Sequence, residues 1–126
     1  MSTPVGYLAS ISIDCPDPDA LVQFYCDLLG LEEVFATSDR GVVSLSGAGP
    51  MVTLMRVDEY EPPSWPGGPQ HKQMHLDLGV DDLDSAVAAA LAIGAVEPPG
   101  QAAPQQWRVL LDPVGHPFCL STVRPD

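Results

Sequence analysis

The sequence predicts an α+β protein of two βαβββ modules, in a pseudo-twofold arrangement with the helices outside and a concave sheet cleft inside. An internal repeat carries this prediction. SISIDCPDPDALVQFYCDLLGL, from Ser10, matches HLDLGVDDLDSAVAAALAIGAV, from His75, at an offset of 65 residues. Further on, VVSLSGAGPMVTL matches RVLLDPVGHPFCL at an offset of 66 residues. A chain of two such halves contains one structural unit twice.

The first module begins with residues 8–13, where apolar and polar side chains alternate as in a half-buried strand. Asp17-Pro18-Asp19 is typical of a helix start, because acidic residues favour the positive end of a helix. Apolar side chains at spacings of three and four predict an amphipathic helix over residues 20–29, and Gly30 ends it. Strands are predicted at about 32–36, 41–46 and 51–57.

The second module repeats this order. It predicts a strand at 73–79, a helix at 82–93, a short strand near Ala95, and strands at 107–111 and 118–123. The intervening segment 59–72 is rich in proline and glycine, which indicates a loop or linker. We therefore expect one domain over residues 1–126, with a first module at about 5–58 and a second at about 73–124.

The composition excludes several classes of partner. A net charge of −12 with only five Lys and Arg predicts no binding to nucleic acid or to anionic membranes. The acidity keeps the protein soluble, or it attracts a cationic small molecule. The chain contains no apolar run of transmembrane length and no signal-peptide pattern, so we expect a cytoplasmic protein with its three cysteines reduced.

Side chains alternate between the two faces of a strand, which assigns the predicted strands an apolar face toward the helices and a polar face toward the cleft. On the cleft face the repeat places four equivalent residues: Ser10, Thr53, His75 and Cys119. The two tryptophans have different candidate roles. Trp65 lies in a loop that could close over a ligand, whereas Trp107 suits core packing as well as ligand contact. The predicted ligand-binding residues are Ser10, Ser12, Thr53, Met55, Trp65, His75, Asp77, Trp107, Cys119 and Ser121.

Three stretches, FYCDLLGL, HLDLGVDDLDSAV and DPVGHPFCL, together with the repeat, resemble the vicinal oxygen chelate superfamily, which has the glyoxalase/bleomycin-resistance/dioxygenase fold. The glyoxalase-like subgroup is the most similar. The resemblance implies paired modules and a homodimer, or an intramolecular pair. In metal-dependent members, four cleft side chains, usually His or Glu, bind the ion. Those positions fall here on Ser10, Thr53, His75 and Cys119, and only His75 keeps the usual ligand type.

The predicted ligand set is weak for a metal. Ser10 and Thr53 are neutral hydroxyls, so His75 and Cys119 are the only metal candidates, as a soft two-ligand site. Asp77 faces the same side but is expected roughly 7 Å along the strand from His75. We therefore expect no cofactor, with a divalent metal as the alternative. Cys119 is interpreted either as a small buried residue or, beside a cation, as a reactive thiolate.

Three functions remain open. The first is metal-free binding of a small molecule, as in antibiotic-binding resistance proteins of this fold. The second is a lyase or isomerase acting on a small carbonyl compound, with His75 as the catalytic base. The third is a non-catalytic module with a vestigial cleft. Whether the chain is an enzyme is left open. The substrate is not predicted either, because the residues that would select it lie in loops such as 59–72 and 97–106.

Overall fold

The structure, a computed structural model, describes residues 3–64 and 73–122. The chain divides into two compact units, Met1–Tyr60 and Glu61–Asp126. Each unit contains one helix packed on one small β-sheet. The α+β class is therefore confirmed. No helix in the described part of the chain has both the length and the apolar character needed to cross a membrane.

The first unit is a βαβββ module, as predicted. Its four strands are ordered β1-β4-β3-β2, with β1 and β4 parallel and the other neighbours antiparallel. The helix ends at Gly30, whose φ of 68° is the left-handed conformation that glycine adopts readily. The elements are β1 (Ser10–Cys15), α1 (Asp19–Leu29), β2 (Glu32–Ala36), β3 (Val42–Ser46) and β4 (Met51–Arg56).

The second unit repeats this plan with one reduction. Its three strands are ordered β5-β7-β6, with β5 and β7 parallel. The short strand expected near Ala95 is only a single bridge between Val96 and Leu111. The first strand begins at Leu76, three residues later than expected, so His75 immediately precedes it. The elements are β5 (Leu76–Gly79), α2 (Leu83–Ala92), β6 (Trp107–Leu111) and β7 (Pro117–Ser121).

The strand registers reproduce the sequence repeat residue by residue. In the first unit, Ser12 pairs with Thr53, and in the second Asp77 pairs with Cys119. These partners are related by the same offsets of 65 and 66 that align the sequence. The third strand extends both rows, since Thr53 also pairs with Ser44 and Cys119 also pairs with Val109. Each unit thus carries a row of three residues across one sheet face.

The opposite face of each sheet holds the hydrophobic core. Burial of these apolar side chains against the helix removes them from water, which is the main stabilising contribution in a domain of this size. The predicted assignment of faces is confirmed within each unit, because these residues share a register that is offset by one from the polar rows. The helix-facing residues include Ile13, Val43, Leu45, Val52, Leu54, Leu110, Phe118 and Leu120.

Helix α2 begins with a side-chain cap. The Asp82 carboxylate accepts a hydrogen bond of 3.0 Å from the backbone N–H of Ser85, and hydrogen bonds from Ser85 hold the Asp82 pKa below its ordinary value of 3.8. Because the folded-state pKa is depressed, this stabilisation is present above pH 3.8 and is lost as the pH falls through the folded-state pKa.

We therefore expect Asp82→Ala to lower the Tm at neutral pH, with the difference from wild type shrinking as the pH falls below about 4. Circular dichroism melts over a pH series measure this. Asp82→Asn is the matched control, because asparagine caps helices well and does not titrate. A Tm difference for Asp82→Ala that stays constant across the series would contradict the assignment.

Candidate functional site

Three potential metal ligands meet on the polar face of the second sheet. They are the imidazole of His75, the carboxylate of Asp77 and the thiol of Cys119, and one ligand atom from each lies within 4.8 Å of the others. Within residues 3–64 and 73–122 they form the one group of three or more His, Cys or acidic side chains close enough to share an ion. We call these three residues the His-Asp-Cys cluster.

The strand pairing explains why the cluster forms. Asp77 on β5 is the register partner of Cys119 on β7, so their side chains lie on the same face about one strand spacing apart. His75 precedes β5 by one residue, and its Nε2 lies 3.3 Å from Oδ1 of Asp77. The two strands thus bring Cys119 to the two ligands that lie at the start of β5.

The expectation that Asp77 lies too far from His75 is wrong. The expected separation of roughly 7 Å describes backbone positions two residues apart, whereas both side chains are long enough to lean along the strand and meet. Within the cluster, Cys119 is buried, with 6% of its surface exposed, whereas the Asp77 side chain is open to solvent, with 71% exposed. Sequence reasoning therefore undercounted the available ligands by one.

The equivalent point in the first unit has different chemistry. The Thr53 hydroxyl lies 2.7 Å from the Ser10 hydroxyl and 3.0 Å from the Ser44 hydroxyl. Thr53 can donate to one neighbour and accept from the other, which satisfies a buried polar group without any ion. The three hydroxyls thus form a hydrogen-bonded network, and the expectation that Ser10 and Thr53 are poor metal ligands stays a prediction.

A tight turn fixes the strand that carries Cys119. In the sequence DPVGH, Oδ1 of Asp112 accepts hydrogen bonds from the backbone N–H groups of Val114 at 2.9 Å and His116 at 3.0 Å. Asp112 is 1% exposed, so this carboxylate is an internal part of the turn. Gly115 has a φ of 101°, and a Cβ there would lie 2.7 Å from the Pro62 Cβ. The turn therefore sets the start of β7 and, through it, the position of Cys119.

A pocket lies beside β6, and the two strand residues in its lining are the register partners of Cys119 and Ser121. It has a volume of about 160 Å³ and is lined by residues 98–102 together with Trp107 and Val109. Trp107 is 38% exposed, so it borders this pocket and is not a core residue. The loop 97–106 was expected to influence ligand choice, but sequence reasoning did not single out Gln101. Its only sequence signal was a polar side chain following a Pro-Pro-Gly turn.

The remaining predicted site residues are divided between the units. Ser12 is exposed beside Thr53, and Met55 is 36% exposed at the end of β4. Ser121 pairs with Trp107 on the same face as Cys119. Trp65 lies outside the described residues. The structure thus brings together His75, Asp77 and Cys119, with Ser121 and Trp107 further along that face.

The donor set of the cluster fits a transition metal better than magnesium or calcium. An imidazole nitrogen, a thiolate sulfur and a carboxylate oxygen are all zinc ligands, and three protein ligands are typical of a zinc site with one open position. In a tetrahedral zinc site, ligand atoms lie roughly 3.3–3.6 Å apart, so the cluster needs only a side-chain adjustment on the order of 1 Å. The residues present therefore fit a divalent metal, and the expectation of no cofactor loses its main support.

Comparison with known proteins agrees with this architecture. A family model described as a glyoxalase-like domain matches residues 10–121. A glyoxalase/bleomycin resistance protein/dioxygenase family enzyme from Burkholderia phytofirmans has 20% identity and a TM-score of 0.66, covering 91% of this chain and 97% of that one. The chain matches no curated protein sequence.

Fosfomycin resistance proteins share the fold as well. FosX from Listeria monocytogenes has 17% identity and a TM-score of 0.72, covering 96% of this chain and 94% of that one. A variant of that protein, in complex with Mn(II) and 1S,2S-dihydroxypropylphosphonic acid, has 14% identity and a TM-score of 0.70, covering 97% of this chain and 93% of that one. The family match over most of the sequence is decisive: the chain belongs to the glyoxalase-like domain family of the vicinal oxygen chelate superfamily.

Proposed function

We propose that this protein binds a small molecule at a divalent metal ion held by the His-Asp-Cys cluster, with zinc as the best-matched ion. The observation that carries the proposal is the convergence of three ligand atoms within 4.8 Å on one sheet face. The Listeria FosX variant solved with Mn(II) supports it, because that protein shares the fold. Zinc on three protein ligands supplies a Lewis acid with an open position for a ligand oxygen.

The three side chains have distinct roles in this proposal. Cys119 is the buried ligand and supplies negative charge once it loses its proton, so zinc affinity rises with pH. His75 contributes a neutral ring nitrogen, and Asp77 contributes a carboxylate oxygen from the solvent side. The charges of one thiolate and one carboxylate balance a divalent cation. A neutral ligand is therefore favoured over an anionic one on this acidic protein.

Metal stoichiometry tests the proposal directly. Wild-type protein stripped with a chelator and reloaded with zinc should retain about one equivalent per chain, measured by mass spectrometry of the metal after desalting. His75→Ala should lose most of it, because only two ligands remain. His116→Ala is the matched control, since it removes a histidine outside the cluster. Zinc retained equally by both variants would refute the proposed site.

A second function is favoured by the His75–Asp77 contact. An imidazole whose Nε2 lies 3.3 Å from a carboxylate is held in a fixed orientation, which suits a general base acting on a small carbonyl compound. Failure of the wild-type protein to retain zinc would favour this function, which is a lyase or isomerase without a metal. An antibiotic-binding role fits either version, and the fosfomycin resistance proteins of the same fold support it.

Homodimer formation, a cytoplasmic location and the single-domain organisation of residues 1–126 stay predictions. The net charge of −12 supports the expectation that neither nucleic acid nor an anionic membrane is a partner. Sedimentation analysis of the purified chain measures the oligomeric state.

A further inference from the structure

We propose that the pocket formed by residues 98–102, Trp107 and Val109 is a ring-binding subsite for the ligand of the cluster. The ligand class is then a neutral small molecule with a six-membered aromatic ring and an oxygen chelating group separated from it by one or two atoms. This inference rests on the proposed metal site, which would bind the chelating group, and it adds that the rest of the ligand is an aromatic ring.

The size and lining of the pocket indicate a ring. Its volume is about 160 Å³, and a protein cavity of about 150 Å³ with apolar walls accommodates benzene. None of the lining residues is charged, and two prolines, a valine and an indole supply apolar surface. Desolvating a charged group there would be costly, whereas an apolar ring gains from leaving water.

The pocket adjoins the cluster through one strand pair. Val109, in the pocket wall, is the register partner of Cys119. The backbone N–H of Val109 donates to Oε1 of Gln101 at 2.9 Å, and its carbonyl accepts from Nε2 of Gln101 at 2.8 Å. Both Val109 backbone groups therefore point away from β7. This makes Val109–Cys119 a non-hydrogen-bonded pair, in which the Cα atoms approach to about 4.5 Å.

The short separation sets the length of the ligand. A ring seated beside Val109 lies about one side chain away from the Cys119 sulfur, so one or two linking atoms bring a chelating oxygen to the metal. Trp107, two residues from Val109 along β6, borders the same pocket and supplies an aromatic side chain for contact with the ring.

The pocket wall is held in place before any ligand arrives. The Gln101 side chain occupies the open edge of β6 in the manner of an added strand, and its Nε2 also donates to the carbonyl of Pro98 at 3.3 Å. Proline rings at positions 98 and 99 restrict the backbone of the same segment. Because this wall is already ordered in the free protein, less conformational entropy is lost when a ligand binds, which favours affinity.

Two hydroxamic acids test the subsite. Phenylacetohydroxamic acid and acetohydroxamic acid are both uncharged in neutral solution and carry the same two-oxygen chelating group, which loses one proton on binding zinc, and only the first has a ring. Calorimetric titration of zinc-loaded protein should give an affinity at least about tenfold higher for the phenyl compound, because the ring leaves water. Equal affinities for the two compounds on zinc-loaded protein would overturn the ring subsite and leave the metal site intact.

Two phenylalanine variants localise the effect. Ala102→Phe places a ring in the pocket from an exposed wall position and should abolish the advantage of the phenyl compound, with acetohydroxamic acid binding as before. Ala89→Phe, at an exposed position of α2 outside the pocket, should keep the advantage. A phenyl advantage that survives Ala102→Phe would place the ring elsewhere and overturn the proposal.

If Ala102→Phe fails to fold, the comparison of the two hydroxamic acids on wild-type protein decides. Protein that retains no zinc refutes the metal site and this inference together.

Discussion

Zinc at a free concentration of 100 times its Kd should stabilise the wild-type protein by about 2.7 kcal/mol, and Cys119→Ser should remove most of this gain. In the proposed site the Cys119 thiolate is the buried ligand and one of two negative charges, whereas a serine hydroxyl stays protonated and neutral. Because loss of a supporting residue around a metal already weakens binding by 10–100-fold, loss of a direct ligand should exceed about 100-fold. Thermal melts with and without zinc measure the gain as a Tm increase of roughly 10 °C.

Cys26→Ser is the matched control for this experiment. Cys26 lies on α1, and burial together with nearby carboxylates raises the pKa of its thiol, so it is a poor zinc ligand. The Tm increase with zinc should match that of wild type in Cys26→Ser. A zinc-dependent increase that persists in Cys119→Ser would show that the ion binds elsewhere.

Asp112→Ala should lower the free energy of unfolding by about 2–4 kcal/mol, although Asp112 lies outside the cluster. Its Oδ1 accepts two backbone hydrogen bonds inside the DPVGH turn, and alanine would leave both of these partly buried N–H groups without that acceptor. Urea unfolding monitored by circular dichroism measures the loss.

Asp112→Asn distinguishes the contribution of the hydrogen-bond acceptor from that of the negative charge. Both hydrogen bonds end on a single oxygen, and an asparagine amide retains one such oxygen in the same place. The variant should therefore recover most of the stability that alanine loses. Equal destabilisation by both substitutions would show that the negative charge of Asp112, more than its acceptor geometry, holds the turn.

The fold was largely predictable because the information was local and repeated. Strand alternation, the Asp-rich helix start at residue 82 and the stop at Gly30 each have a mechanism that a single sequence displays. The strand near Ala95 was wrong in extent, because a strand persists only where a partner offers several backbone groups, and Val96 finds only Leu111. The late start of β5 is an error of the same kind.

The site was predictable in position but not in composition. The repeat placed His75 and Cys119 at the positions equivalent to Ser10 and Thr53, whereas the contact of His75 with Asp77 depends on side-chain directions that spacing does not fix. The Gln101 contacts were also beyond sequence reasoning. A single side-chain amide that bonds to a strand edge leaves no periodic pattern in the sequence. The role of Gln101 becomes clear only from the structure, where β6 is the edge strand and Gln101 bonds to both backbone groups of Val109.

The paired rows on the two sheets have an evolutionary consequence. Ser12, Thr53 and Ser44 occupy the same register as Asp77, Cys119 and Val109, so the backbone is held constant while the side chains differ. In a duplicated module, one copy can relax into an inert hydroxyl network while the other keeps or acquires reactive groups, since neither change requires a new fold. The shared register therefore lets the chemistry of one unit change by a few side-chain substitutions while the backbone of both units stays the same.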